Sequence, residues 1–113
     1  MDTQTLAQEI SILHADMCSA LADPRRILML YVLSEKRLNV TDLAEEVGIS
    51  QPTASRHLKL LRERGLVRAE RQGANVEYHL TDQRLIEALN LLRAVLYDRI
   101  HHRASLLQAE NEE

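Results

Sequence analysis

The chain contains no tryptophan and no phenylalanine, and its only aromatic residues are three tyrosines, so aliphatic side chains must build its core. Its single cysteine, Cys18, excludes a disulfide framework within the chain. The longest apolar run, residues 27–33, is far shorter than the roughly 18 residues that a membrane-spanning helix needs. The acidic N-terminal stretch does not lead into an apolar segment, so the sequence predicts no secretory signal. These absences favour a reduced, cytoplasmic protein.

Net positive charge is also absent, because the formal charge of the chain is -3. At 113 residues the chain is expected to form a single domain (1–113). Within it, residues 51–79 carry six lysines and arginines against three glutamates, while the rest carries eight basic and fourteen acidic side chains. A basic block on an acidic chain fits a local phosphate-binding surface, although a solvated face of mixed sign would give the same pattern.

Glycine and proline are scarce, and their few positions mark where the predicted helices begin and end. Apolar residues at helical spacing predict a first helix over 5–21 and a last helix over 82–104. Asp23 and Pro24 predict the start of a second helix, because Asp caps helices and Pro is tolerated in the first turn. Two more helices are expected within residues 41–64, the first of them capped by Val40 or Thr41.

The hydrophobic period changes after the fourth predicted helix. Residues 66–80 predict two strands joined by a turn at 72–75, in which Gly73 and Asn75 both tolerate a positive φ. The acidic segment 105–113 is expected to be a flexible tail. The predicted fold is therefore mainly α with a small β-hairpin, in the order α-α-α-α-β-β-α.

The third and fourth predicted helices form a helix-turn-helix signature, with Gly48 and Ser50 at their junction. Ala44 is small where the two helices would cross, and Gly48 permits a left-handed turn. The second helix of such a pair projects its N-terminal residues into the major groove of DNA. The hairpin, with Arg68 and Arg71 expected near its tip, would add a wing that contacts phosphates or the minor groove. We therefore expect a winged helix-turn-helix protein that binds DNA.

Side chains on the exposed face of the fourth helix and on the wing are the candidate DNA contacts. Gln51 can bond an adenine edge, and Arg56 can pair with guanine or with a phosphate. Lys59 and Arg62 lie further along the helix and are expected on the DNA backbone, while His57 would pack at the groove wall or reach a phosphate. The predicted DNA-binding residues are Gln51, Thr53, Ser55, Arg56, His57, Lys59, Arg62, Arg68, Arg71, Gln72 and Asn75.

The chain resembles the ArsR/SmtB family of bacterial winged-helix repressors in three segments, ALADPRRILML (20–30), LNVTDLAEEVGISQPTASRHLKLLRERGLV (38–67) and EYHLTD (77–82). The resemblance implies a homodimer that binds operator DNA and is released when a metal or another inducer binds. It also implies that the first and last helices form the dimer interface, and both are more apolar than one small core needs. The predicted interface residues are Leu6, Ile10, Leu13, Met17, Leu85, Leu89, Leu92 and Leu96.

The known metal sites of that family are not reproduced in this sequence. Asn39 and Thr41 stand where the thiolate-based sensors carry cysteines, the ligands that suit soft metal ions. Of the zinc-type ligand set on the last helix, Asp82 and Asp98 remain, and Arg84 stands where a histidine is needed. The sequence therefore predicts no cofactor and no metal site of the family type.

A non-standard metal site near the C-terminal helix is an alternative, with Asp98, His101, His102 and His14 as its candidate ligands. Adjacent histidines diverge by about 100° on a regular helix, so these two would not easily share one ion. Histidines near a helix C-terminus also occur because they complement the helix dipole. Further alternatives are a bond between the Cys18 residues of two subunits, a small organic inducer bound between the first and last helices, and a repressor with no ligand at all.

The function expected from these patterns is that of a sequence-specific transcriptional regulator, a dimeric repressor released from a palindromic operator by an unidentified inducer. Repression rather than activation follows from the family resemblance alone. A nonspecific architectural DNA protein is the nearest alternative, although such proteins normally carry a large positive charge. A protein-interaction module using the apolar end helices is another. An enzyme is not expected, because the sequence has no phosphate-binding glycine loop and no zinc-ligand spacing such as His-Glu-x-x-His.

Overall fold

The computed structural model describes residues 2–112, which form one compact unit up to Asp82 and a second from Gln83 onward. The mainly α fold with a single β-hairpin predicted from the sequence is confirmed. The regular elements are α1 (Thr3–Leu13), α2 (Pro24–Glu35), α3 (Val40–Val47), α4 (Gln51–Glu63), β1 (Val67–Gln72), β2 (Asn75–Leu80) and α5 (Arg84–Glu112).

The core of the first unit is aliphatic, as the lack of large aromatic residues requires. Its largest fully buried side chains come from three helices: Met29 and Leu30 from α2, Leu43 from α3, and Leu58 and Leu61 from α4. Burial of each such side chain contributes about 1.5–3 kcal/mol to folding. The three helices that position the helix-turn-helix therefore also share one core.

Short polar side chains start the helices. Asp23 accepts a hydrogen bond from the backbone N–H of Arg25 at 2.8 Å, and Pro24 lies in the first turn of α2, as predicted. α3 is capped by Asn39, whose side chain accepts from the N–H of Asp42 at 2.8 Å. The expectation that Val40 or Thr41 caps this helix is therefore wrong, because only a side-chain oxygen one residue earlier reaches the free N–H.

The single helix predicted over 5–21 is wrong in its second half. α1 ends at Leu13, a π-helical turn follows over His14–Cys18, and a 3-10 turn occupies Ala20–Ala22. The Ser19 hydroxyl donates to the carbonyl of Ala15 at 2.6 Å, which adds a competing bond to the helical ladder. The Arg64 side chain donates to the same Ala15 carbonyl, and the Arg26 side chain donates to the carbonyls of Ala20 and Ser19. Apolar periodicity cannot reveal these contacts.

The β-hairpin has the predicted antiparallel form, with Val67 paired to Leu80 at its base and Gln72 paired to Asn75 at its tip. Gly73 turns the chain with φ 62°. A further bridge that the sequence did not indicate joins Leu38, in the linker between α2 and α3, to Tyr78 of β2.

The second unit is the long helix α5, which runs from Arg84 to Glu112. The predicted flexible tail over 105–113 is thus helical up to Glu112, and Glu113 lies outside the described residues. No glycine or proline follows Gly73, and the tail is rich in Ala, Leu, Gln and Glu, which favour helix. Within residues 2–112, no helix is both long enough and apolar enough to cross a membrane.

Candidate nucleic-acid interface

The turn between α3 and α4 is built around Gly48, which has φ 80° and ψ 34°. The N–H groups of Gly48 and Ile49 both donate to the carbonyl of Ala44, at 2.9 and 3.0 Å. Glycine is required here because a side chain disfavours the left-handed conformation. Ala44 is only 4% exposed, which agrees with the close approach of the two helices inferred from its small size.

The N-terminal turn of α4 is organised by Ser50. Its hydroxyl accepts from the N–H of Thr53 at 3.3 Å and donates to the Thr53 hydroxyl at 2.8 Å. The guanidinium of Arg56 donates to the same Thr53 hydroxyl at 3.3 Å. This short chain of hydrogen bonds holds Arg56 against the start of the helix while its side chain stays exposed.

One face of α4 carries the candidate contacts together. Gln51, Ser55, Arg56, Lys59 and Arg62 are exposed on it, and Thr53 is half-buried. The opposite face is apolar, with Ala54, Leu58 and Leu61 buried. Glu63, at the end of the helix, is its only acidic residue. This face therefore offers hydrogen-bonding groups at its N-terminal end and cations along its length.

His57 is not on that face, and the expectation that it contacts DNA is corrected. The residue is 9% exposed, and its Nδ1 lies 3.3 Å from the guanidinium of Arg26 on α2. Its Nε2 lies 3.9 Å from a carboxylate oxygen of Asp23. Burial lowers the pKa of His57, with the positive charges of Arg25, Arg26 and Arg56 acting in the same direction and Asp23 opposing them.

The wing carries Arg68, Arg71, Gln72 and Asn75, all exposed, but not all near its tip. Gln72 and Asn75 form the tip pair, and Arg71 is adjacent to them. Arg68 pairs with His79 near the base, so its expected place near the tip is wrong. Because side chains alternate along a strand, Arg68 and Arg71 project from opposite faces of the hairpin.

Two arginines that sequence reasoning did not single out connect α4 to the segment after α1. The guanidinium of Arg26 donates to the carbonyl of Ala20 at 2.6 Å and to that of Ser19 at 3.3 Å. Arg64, the C-terminal cap of α4, donates to the carbonyl of Ala15 at 2.8 Å. The only sequence signal was that each arginine directly follows another charged residue at a helix end, which does not indicate a partner.

The four residues considered for a metal site belong to two different units of the chain. His14 is in the first unit, whereas Asp98, His101 and His102 are in α5. Among the described residues, no three His, Cys, Asp or Glu side chains are grouped so that they could hold a metal ion. His101 instead lies against the ring of Tyr97, with 4.1 Å between the ring centroids.

The predicted interface residues are largely exposed in the single chain. On α1 and the π-helical turn, Leu6, Ile10, Leu13 and Met17 are between 40% and 51% exposed. On α5, Leu92 and Leu96 are 64% and 55% exposed, Leu85 is half-buried, and Leu89 is already buried at 5%. Leu89 is therefore not free to meet a partner. Other exposed apolar residues of these helices, which are not among the predicted interface residues, are Ile12, Leu91, Val95, Tyr97, Ile100, Leu106 and Leu107.

Residues 23–69, from the cap of α2 into β1, match the family model for bacterial regulatory proteins of the arsR family. The match therefore contains the whole helix-turn-helix and the Arg26–His57 contact.

Curated relatives extend the similarity beyond this segment. The chain is 39% identical over 90 residues to the HTH-type transcriptional regulator NmtR of Mycobacterium tuberculosis. The aligned region covers 80% of this chain and 71% of the relative. It is 31% identical over 94 residues to the biofilm growth-associated repressor of Xylella fastidiosa, covering 83% and 79% of the two chains.

A solved structure has the same fold. The homodimeric winged helix-turn-helix DNA-binding domain of Mb0332 from Mycobacterium bovis superposes with a TM-score of 0.70 at 26% identity, covering 88% of this chain and 89% of that one. Winged-helix regulators of this kind bind DNA and are homodimeric in their structures. The chain therefore belongs to the ArsR family of bacterial regulatory proteins and is a DNA-binding transcriptional regulator.

Proposed function

We propose that this chain is a dimeric repressor that binds a partly palindromic operator and leaves it when an inducer binds. The observation that carries the proposal is the exposed face of α4, where Gln51, Ser55, Arg56, Lys59 and Arg62 lie together above a buried apolar stripe. A helix with one polar, cationic face and a rigidly packed back is suited to the major groove, which is about 12 Å wide.

The two ends of α4 contact different parts of the DNA. Gln51 and Arg56, near its N-terminus, read base edges, because their side chains can form bidentate hydrogen bonds to adenine and guanine. Lys59 and Arg62 contact phosphates, which position the protein without reading sequence. The tip of the wing, with Arg71, extends the phosphate contacts beyond the major groove.

The dimer forms through α1 and α5. α1 has no buried residue in the single chain, and α5 exposes a long row of leucines, isoleucine and valine. Apolar surface of this extent on a small monomer marks an interaction surface. A two-fold dimer would read half-sites about 34–36 Å apart on one side of the duplex.

Fluorescence anisotropy tests the proposal with a labelled duplex from the region upstream of the protein's own gene and a random duplex of equal length. We expect a preference of about 10³ or more for the upstream duplex and a steep fall of affinity with salt. Equal affinity for both duplexes would support an architectural protein instead, and binding to neither would refute DNA recognition.

The same preformed complex tests the inducer. Zinc, nickel and then a chelator are added at fixed ionic strength. Release by a metal, reversed by the chelator, would indicate a site completed by the dimer, and Asp98, His101 and His102 would be substituted next. Binding that is indifferent to these metals would point to an organic or redox inducer.

A further inference from the structure

Arg26 lies at the centre of a polar junction behind the recognition helix. Its guanidinium donates to the carbonyls of Ala20 and Ser19, at 2.6 and 3.3 Å, and lies 3.3 Å from Nδ1 of His57. Ser19 and Ala20 belong to the segment after α1, whereas His57 is in the middle of α4. One side chain of α2 thus connects the end of the N-terminal helical segment to the recognition helix.

A second connection lies two helical turns further along. Arg64, at the end of α4, donates to the carbonyl of Ala15 at 2.8 Å and lies 3.6 Å from the carboxylate of Asp16. His57 and Arg64 are seven residues apart, so both face the same side of the helix. α4 is therefore held at two points to residues 15–20, which directly follow α1.

The chemistry of the junction fixes the state of His57. A guanidinium has only donors, so Nδ1 must accept the hydrogen bond and the ring must be neutral with its proton on Nε2. Nε2 is buried, and among the described residues it has no hydrogen-bond partner. The charged groups around the ring are Asp23, Arg25, Arg26 and Arg56. On protonation both ring nitrogens become donors, the contact with Arg26 is lost, and Asp23 is the nearest carboxylate.

We propose that Arg26 and His57 are positioning residues that hold α4 in a fixed orientation to residues 15–20, and so to α1, in the DNA-binding dimer. This inference rests on the proposed function, because it concerns the orientation of α4 on the operator. The orientation matters since two recognition helices must enter grooves about one helical turn apart at the same time. A small tilt at the junction displaces both from their half-sites.

Loss of the contact between Arg26 and His57 should affect specific and nonspecific DNA binding differently. Loss of the contact leaves Arg56, Lys59 and Arg62 in place, so attraction to phosphates persists. Base contacts need accurate placement and are weakened. A role in stability alone would instead reduce the folded fraction and lower binding to all duplexes equally.

Two substitutions of His57 distinguish the loss of its hydrogen-bond acceptor from a change in the shape of its side chain. His57→Phe keeps a ring of similar size but offers no acceptor, so the Arg26 guanidinium loses its partner. His57→Asn places an amide oxygen near the position of Nδ1 and cannot be protonated. His79→Asn, on β2, is the matched control for a histidine replaced outside the junction. Circular dichroism melts first establish that each variant is folded at the assay temperature.

Anisotropy is then measured with the upstream and random duplexes about one pH unit above and about two pH units below the ordinary histidine pKa of about 6.5, because burial lowers the pKa of His57. We expect H57F to lose about tenfold in affinity for the upstream duplex and little for the random one. H57N and H79N should stay within about threefold of the unsubstituted protein at the higher pH. Acidification should weaken specific binding by the unsubstituted protein and by H79N, but not by H57N.

A folded H57F that binds the upstream duplex normally, or that loses affinity equally for both duplexes, would overturn the inference. An unsubstituted protein that does not prefer the upstream duplex would refute the proposed function instead. If H57F does not fold, the ¹⁵N resonances of the His57 ring in the unsubstituted protein decide. A protonated Nδ1 at neutral pH overturns the inference. An Nδ1 that is unprotonated at neutral pH, and that gains a proton as the contact with Arg26 is lost on acidification, supports it.

Discussion

Leu38 and Tyr78 are joined by two backbone hydrogen bonds across forty residues of sequence, from Leu38 N–H to Tyr78 O at 3.2 Å and from Tyr78 N–H to Leu38 O at 2.7 Å. The bridge adds the α2–α3 linker to the free edge of β2. Arg37, the neighbour of Leu38, pairs with Glu70 of β1 at 2.6 Å. The middle of the wing is thus attached to the linker between α2 and α3, while the tip of the wing is left exposed.

This attachment predicts uneven hydrogen exchange along the wing. The N–H of Tyr78 is bonded to Leu38, whereas that of Val76 lies two residues further along the same edge, beyond the bridge. We expect the Tyr78 amide to exchange at least about tenfold more slowly than the Val76 amide. Amide exchange followed by NMR checks this, and equal rates would mean that the linker does not hold the wing in solution.

Arg56→Ala should weaken binding to the operator by about 1–3 kcal/mol and relax the sequence preference at one base pair. The reason is that its guanidinium can pair with guanine from the N-terminal turn of α4. Lys59→Ala is the control, since a phosphate contact should lower affinity for all duplexes and reduce the salt slope by about 1. Anisotropy with single-base operator variants measures both, and a uniform loss for R56A would assign Arg56 to the DNA backbone.

Leu96→Glu should weaken self-association by about 2 kcal/mol or more, because dimer formation would bury an unpaired charge. Sedimentation velocity measures the association, and operator binding should fall with it. Leu28→Glu is the matched control, since Leu28 is 47% exposed on α2, outside the proposed interface. An L96E protein that remains dimeric would exclude this face of α5 from the interface.

Gly48→Ala should lower the free energy of unfolding by about 1–2 kcal/mol. No atom lies within 4 Å of the position that a Cβ would occupy, so the cost comes from the backbone conformation at φ 80° and not from a clash. Gly48→Asn should cost less, because Asn tolerates the left-handed region better. Urea denaturation measures both variants, and a larger loss for Asn than for Ala would contradict this explanation.

The folded protein should lose stability as the pH falls through about 6.5, the ordinary histidine pKa. Because burial lowers the pKa of His57 in the folded state, the unfolded chain takes up a proton first, and the free energy of unfolding decreases. Urea denaturation between about pH 7.5 and about pH 5.5 measures this slope. His57→Asn should reduce it, and an unchanged slope in that variant would show that other groups are responsible.

Much of the fold could be predicted from local sequence. Asp23 and Pro24 predicted the start of α2, and Gly48 predicted the turn of the helix-turn-helix. Gly73 predicted the tip of the wing. These features act over a few residues, through caps, turns and strand alternation, so their signals lie close together in the chain. The exposed residues of α4 followed from the same helical periodicity.

The rest depended on contacts between residues far apart in sequence. Arg64 donates to the carbonyl of Ala15, 49 residues earlier, and Arg26 faces His57, 31 residues later. His57 is turned inward, beside the guanidinium of Arg26 on α2 and the carboxylate of Asp23, the cap of α2. Arg68 lies near the base of the wing because of the strand register.

By itself, the sequence determined the order of the elements, the turn that builds the helix-turn-helix, and the cationic face of its second helix. Only the tertiary structure decided which polar side chains are turned inward and how the segment after α1 is shaped. The physical reason is that a cap or a turn is satisfied by its neighbours in sequence, whereas a half-buried guanidinium binds whichever acceptors the packed helices bring within reach.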